Sequence, residues 1–134
     1  MPTTKTERFQ IRQSDDVVRV RQLTRTFAVE AGLGLVDQTK VITAASELAR
    51  NTLDYGGGGA VTVELLEQGG RRGVRLAFED KGPGIADIEQ ALKDGFTSGK
   101  GMGLGLGGAR RLSNEFTIQS KVGEGTKIVI ARWK

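Results

Sequence analysis

The sequence predicts an α+β fold: a two-layer α/β sandwich with a mixed, mostly antiparallel sheet and its helices on one face. Three observations lead there. Two helical periodicities come early, between Ser14 and Asp54. Mostly β-rich runs follow, paired around glycine turns at Gln68–Gly73 and Val122–Gly125. Helices grouped apart from hairpin strands pack together on one side of a sheet, which leaves its other face to solvent or a partner. The 134 residues suffice for one substantial core, so residues 1–134 read as a single domain.

The elements follow in order. Glu7-Arg8-Phe9-Gln10-Ile11-Arg12 alternates polar and apolar, as a half-buried edge strand does. Ser14-Asp15-Asp16 supplies a helix cap and acids for the first turn. Val20, Leu23, Phe27 and Ala31 make one apolar helical face, and Gly32 is the stop. A second helix runs from about Val36 to Asp54, with Val41, Ala45, Leu48 and Thr52 on its buried side. Tyr55 and the glycines from Gly56 to Gly59 break it. Strands are expected over Ala60–Leu66 and Val74–Phe78, a short helix over Asp87–Lys93, and a long loop over Gly95–Gly107. A helix over Leu106–Leu112 precedes a last hairpin, Phe116–Ser120 with Lys127–Ala131.

Composition excludes much. There is no cysteine, hence no disulfide and no thiolate chemistry, and no histidine to act as base, zinc ligand or phosphoacceptor. No run approaches a membrane span and no apolar leader is visible, so a cytoplasmic location is expected, with no membrane partner. The net charge of +4 is spread among interleaved acids, and aromatics are only 5%, so nucleic acid is not the expected partner. The 20 glycines cluster, which argues for special loops rather than low complexity.

Three stretches carry chemistry. Phe78-Glu79-Asp80-Lys81-Gly82-Pro83-Gly84 ends an apolar strand in carboxylates and then turns on glycines. Asp80 there can accept a hydrogen bond from an exocyclic amine, as a carboxylate that selects adenine does. Gly82 and Gly84 let backbone approach a flat ring. Upstream, Glu47 and Asn51 share a helix face one turn apart. Asn supplies a hard oxygen for Mg²⁺, and Glu a base beside it. Downstream, Gly101-Met102-Gly103-Leu104-Gly105 opens a helix and offers N–H groups to phosphates, with Lys100 as an added point charge. The dinucleotide fingerprint is excluded because no strand precedes the glycines. A P-loop is excluded because Gly101 follows Lys100. Each stretch also has a plain structural alternative: a solvated helix face, a turn, a surface loop. Their order and spacing carry the signal.

That order resembles the GHKL ATPase/kinase superfamily through essentially the whole chain. Ser46–Asn51, Glu79–Ile85, Asp94-Gly95-Phe96, Arg111-Leu112 and Gly123-Glu124-Gly125-Thr126 look closest to RsbT-type serine kinases of bacterial stress-response partner switching. The resemblance implies a Bergerat-type sandwich holding ATP and Mg²⁺. It matches Glu47 to the general base, Asn51 to the Mg²⁺ ligand, and Asp80 to the adenine-amine acceptor. Gly82 and Gly84 match the loop beside the base. Gly101, Gly103 and Gly105, with Leu104, match the phosphate lid, and Thr126 matches the hydroxyl that assists Asp80.

The resemblance further implies a serine of a STAS-domain antagonist as phosphoacceptor. It also implies a PP2C-type phosphatase that released kinase binds and activates, and leaves room for a large stress-sensing assembly. A histidine kinase is excluded by the absence of histidine. Gyrase-like and Hsp90-like members need further domains, so a member of those kinds is not expected. The rivals are an anti-sigma factor kinase that sequesters a sigma factor, and a non-enzymatic ATP-gated interaction module.

Overall fold

Side-chain alternation along the strands decides which residues reach the helices. The computed structural model describes residues 3–92 and 106–134. In chain order these form β1 (Thr3–Ile11), α1 (Ser14–Glu30), α2 (Leu35–Asp54), β2 (Gly59–Gln68), β3 (Arg71–Asp80), α3 (Ile88–Ala91), α4 (Leu106–Arg111), β4 (Glu115–Lys121) and β5 (Gly125–Trp133). The five strands make one sheet in the order β1-β2-β3-β5-β4. All four pairings are antiparallel, so the parallel component that a mixed sheet allows for is absent among the described residues. β1 lies at an edge, as its alternation predicts.

The strands outrun their apolar stretches. β2 and β3 have 10 residues each because polar residues such as Arg71, Glu79 and Asp80 continue the backbone ladder. Gly69 and Gly70 close this hairpin with φ of 58° and 82°. Two positive φ values define the turn whose twist matches the strands it joins.

Val61, Val63 and Leu65 of β2, Val74, Leu76 and Phe78 of β3, and Ile128 and Ile130 of β5 face one core. α1 contributes Val17, Val20, Phe27 and Ala28; α2 contributes Val41, Ala44, Ala45 and Leu48. The expected Ser14 cap is corrected. The N-cap is Gln13, one residue before the helix, and the Asp16 carboxylate accepts from the Arg12 and Gln13 N–H groups at 2.8 and 3.1 Å. A carboxylate one turn in reaches back further than a serine hydroxyl at the first position can. Gly32 follows the helix with φ 77°, as the stop residue should.

The helix-free face is not bare. Trp133 lies across Gly73, which has no room for a Cβ beneath the ring. Leu66, in register with Gly73, is fully buried there. The indole Nε1–H donates to Glu115 at 2.6 Å, and Arg71 stacks 5.3 Å from the ring centroid. Nearby, Arg75 grips Glu64 with two bonds of 2.8 and 3.0 Å, which holds the Glu64 carboxyl below its ordinary pKa. No helix among the described residues is long and apolar enough to cross a membrane.

Candidate active site

Period-two alternation carries the core face of β3 straight into Asp80. Val74, Leu76 and Phe78 point to the helices, so Asp80, two residues on, points there too. Glu79 faces the other way, where it meets Arg8 at 3.3 Å and Lys127 at 3.7 Å. Thr126 lies opposite Asp80 on β5 and is buried. The Asp80 carboxylate accepts from the Gly82 N–H at 2.9 Å, and no cation pairs with it among the described residues. Partial burial pushes its pKa up; the backbone hydrogen bonds from Gly82 and Thr126 oppose that. An acceptor held without a counter-ion in a half-dry place is suited to a neutral donor such as an amine.

α2 brings the second group. Glu47 and Asn51 are four residues apart, which leaves about 40° between them around the axis. That offset separates their environments: Glu47 is exposed while Asn51 is 5% exposed. Asn51 lies in the last turn of α2, and its carbonyl accepts from the Tyr55 and Gly56 N–H groups at 3.0 and 3.2 Å. Tyr55, another four residues on, donates its hydroxyl to the Gly84 carbonyl at 2.8 Å. The row Glu47, Asn51, Tyr55 therefore runs from solvent to the loop after β3. α4 packs against α2, with Leu106 and Ala109 buried.

Lys100, Gly101, Gly103, Leu104 and Gly105 lie outside the described residues, as does Lys93 at the end of the expected short helix. The described part of that helix is α3, capped by Asp87, whose carboxylate accepts from the Gln90 N–H at 3.0 Å. The structure thus joins Asn51, Asp80, Gly82, Gly84 and Thr126 at one end of the sheet, with Glu47 at the outer margin.

The family described as histidine kinase-, DNA gyrase B- and HSP90-like ATPase matches residues 36–134. The chain belongs to that family. The match runs from the second residue of α2 through β5, so it spans Glu47, Asn51, Asp80, Gly82, Gly84 and Thr126. Within this ATPase family the chain is 46% identical over 118 residues to serine/threonine-protein kinase RsbT of Bacillus subtilis (strain 168), covering 88% of this chain and 89% of that one. It is 28% identical over 102 residues to anti-sigma F factor of Geobacillus sp. (strain WCH70), covering 71% and 68%. Among solved structures it resembles the RsbU and RsbW domains of Rv1364c from Mycobacterium tuberculosis, with TM-score 0.66 and 21% identity. That match spans 96% of this chain and 32% of the other. This chain is therefore an RsbT-like serine/threonine kinase within that family.

Glycines let the backbone close tightly around Asp80. A Cβ on Gly56 would overlap the Asp80 side chain, 2.6 Å from Oδ2. A Cβ on Gly82 would come within 2.7 Å of the Gly56 Cα, and one on Gly125 within 2.8 Å of the Lys81 Cα. Gly84 has φ 77° and abuts the Lys121 carbonyl. The cradle around Asp80 is thus built of residues with no side chain, which lets the end of α2, the end of β3 and the following loop pack backbone to backbone. Besides this cradle a groove of about 720 Å³ lies across the strand ends, lined by the outward-facing Arg8, Gln10, Glu79, Gln119 and Lys127 and touching Asp80 and Thr126. Neither Glu47 nor Asn51 lines it.

Three contributors escaped the sequence reading of the site: Tyr55, Gly56 and Ser120. Two had signals. A run of four glycines is longer than a helix stop needs, and Tyr55 is the chain's single tyrosine, placed directly before it. Ser120 had none, because its partners are distant in sequence.

Proposed function

We propose that this protein transfers the γ-phosphate of ATP to a serine of a STAS-domain antagonist and, once released, binds and activates a PP2C-type phosphatase. The observation that carries the reading is 46% identity to a serine/threonine-protein kinase across 88% of the chain. The convergence of Asn51, Asp80 and Thr126 at one end of the sheet supports it.

Bound Mg-ATP supplies the phosphoryl group. Asp80 accepts from the adenine amine, and Thr126 assists it. Asn51 offers its amide oxygen to Mg²⁺. Among the described residues no cluster of three acidic side chains could hold a cation by itself. That donor set suits Mg²⁺, which keeps water and phosphate oxygens as most of its ligands. Glu47 stands exposed one helical turn from Asn51, where a hydroxyl from another protein can reach it. There it orients the serine and accepts its proton. Gly101, Gly103 and Gly105, with Leu104 and Lys100, are assigned to the phosphates.

The test is incubation with ATP and a STAS-domain protein, followed by mass-spectrometric mapping of the modified residue. A phosphoserine is expected. ATP uptake without transfer to any STAS protein would leave a nucleotide-gated binding module instead. The 28% identity to an anti-sigma factor favours a second reading, capture of a sigma subunit. A pull-down separates the two: a STAS protein with a phosphatase in the eluate supports the switch kinase, and a sigma subunit supports the rival.

A further inference from the structure

Ser120 is on β4, in register with Thr126, and the kinase reading gives it no role. Its hydroxyl has three neighbours. The Ile85 N–H donates to Oγ at 2.7 Å. The Gly125 carbonyl lies 3.2 Å away as an acceptor. The Thr126 Oγ1 lies 2.7 Å away. A serine hydroxyl has one proton and two lone pairs. An amide can only donate and a carbonyl can only accept. The Ile85 amide therefore occupies one lone pair, and the one serine proton goes either to the Gly125 carbonyl or to Thr126 Oγ1. When the Gly125 carbonyl takes it, the remaining lone pair faces Thr126 Oγ1 and the proton in that short contact comes from threonine.

We infer that Ser120 is a specificity-determining positioning residue: it draws the Thr126 proton away from the nucleotide pocket and leaves Thr126 as an acceptor beside Asp80. The inference rests on the ATP-binding reading above and goes further than it. A free threonine hydroxyl rotates and reads donors and acceptors alike. With its proton fixed on Ser120, Thr126 offers only lone pairs, as the ionised Asp80 does. Two adjacent acceptors match an exocyclic amine with two N–H groups, directly or through water. They oppose a base that presents a carbonyl oxygen at that position, so adenine is taken and guanine refused. The same serine ties the base pocket to the loop after β3 through Ile85, which is buried. That loop is held from two other sides, by Tyr55 at Gly84 and by the Gly123 N–H on the Pro83 carbonyl at 2.8 Å.

The experiment is calorimetric titration of ATP and GTP into the wild type, Ser120→Ala and Ser120→Thr. Ser120→Ala is expected to narrow the preference for ATP about tenfold, because the released Thr126 hydroxyl can turn and donate to a guanine oxygen. Ser120→Thr keeps the hydroxyl and restores the preference. A merely structural serine would weaken both nucleotides by the same factor, and that outcome overturns the inference. So does an unchanged ratio in Ser120→Ala. Faster amide exchange at Ile85 is expected in Ser120→Ala without nucleotide. If that variant does not fold, Ser120→Cys keeps the volume, weakens the hydrogen bonds and is read the same way. A wild type that binds neither nucleotide overturns the kinase reading together with this one. A wild type and a Ser120→Ala variant that prefer ATP equally overturn this one alone.

Discussion

Gly56 lies directly against Asp80, so close that a Cβ on the glycine would sit 2.6 Å from the carboxylate Oδ2. Gly82 abuts the backbone of Gly56 in turn. The end of α2, the end of β3 and the following loop thus touch through residues that lack side chains. Gly56→Ala should displace the Asp80 carboxylate, at about 1–3 kcal/mol of stability, the usual cost of overpacking. ATP affinity should fall at least about tenfold, a loss of roughly 1.4 kcal/mol. Thermal unfolding and calorimetry measure the two effects. Wild-type affinity in the alanine variant would show that the carboxylate does not read the base.

Asp80→Asn separates stability from binding. Burial raises the folded-state pKa of Asp80 above its ordinary 3.8, so the folded chain holds a proton there more readily than the unfolded chain. The stability linked to that proton is complete below the unfolded value and is lost as pH rises through the folded value. At neutral pH the ionised group therefore opposes folding. Asparagine keeps an oxygen for the Gly82 N–H and removes the charge. The variant should melt higher than wild type at pH 7, and the difference should vanish toward pH 3. Its ATP affinity should drop at least about tenfold, because an amide nitrogen facing the amine sets donor against donor. Melting curves across pH, with and without ATP, read both effects; a lower melting point at pH 7 would contradict the burial argument.

How far the sequence reached depends on whether a signal is local. The helical faces around Phe27 and Leu48 and the glycine turns are set by near neighbours, so both helices and the hairpins were legible. The direction of Asp80 was legible too, since it continues the alternation of Val74, Leu76 and Phe78. Strand ends were not, because polar Arg71 and Glu79 are held by ladder bonds to β2 and β5 that no local pattern announces. The antiparallel character of every pairing was only partly visible, since β3 connects to β4 through two helices but pairs with β5. The Ser120, Thr126 and Ile85 contact spans β4, β5 and the loop after β3, so only folding assembles it.

Tyr55→Phe tests the latch between α2 and the loop after β3. The hydroxyl donates to the Gly84 carbonyl at 2.8 Å, and the ring packs against the core. Removing one neutral hydrogen bond should lower stability by about 1 kcal/mol. The ring remains, so the helix end stays in place while the loop loosens. ATP affinity should fall a few-fold, and amide exchange at Gly84 and Ile85 should quicken. Unchanged exchange at those amides would mean that the Gly123 and Ser120 bonds hold the loop without Tyr55.

Trp133→Ala probes the opposite end of the sheet. The indole covers Gly73 on the helix-free face, donates to Glu115 and is 9% exposed. Truncation should cost about 3 kcal/mol, the low end for a large buried aromatic. β5 runs from Thr126 at the site to Trp133 at the far end, so the variant also asks whether strand damage propagates. ATP affinity should stay within about twofold of wild type at temperatures where the variant is folded, since well-separated sites behave independently. A large affinity loss in folded Trp133→Ala would show that the far end of β5 positions Thr126.

Glu47→Gln should leave the fold untouched and remove the chemistry. Glu47 is exposed on α2, and glutamine is as good a helix former as glutamate. Its melting temperature should therefore match wild type, the change staying within about 0.5 kcal/mol as for ordinary surface substitutions. Asp80, Thr126 and the glycine cradle are unaltered, so ATP affinity should hold within about threefold. Phosphotransfer should nevertheless fall by at least about 100-fold, the lower range for loss of a positioned base. Few surface substitutions combine wild-type stability, wild-type binding and lost turnover, and a base that acts only on the incoming hydroxyl does so. Residual transfer near the wild-type rate would move the base elsewhere. Lost ATP binding would instead place Glu47 in contact with the nucleotide.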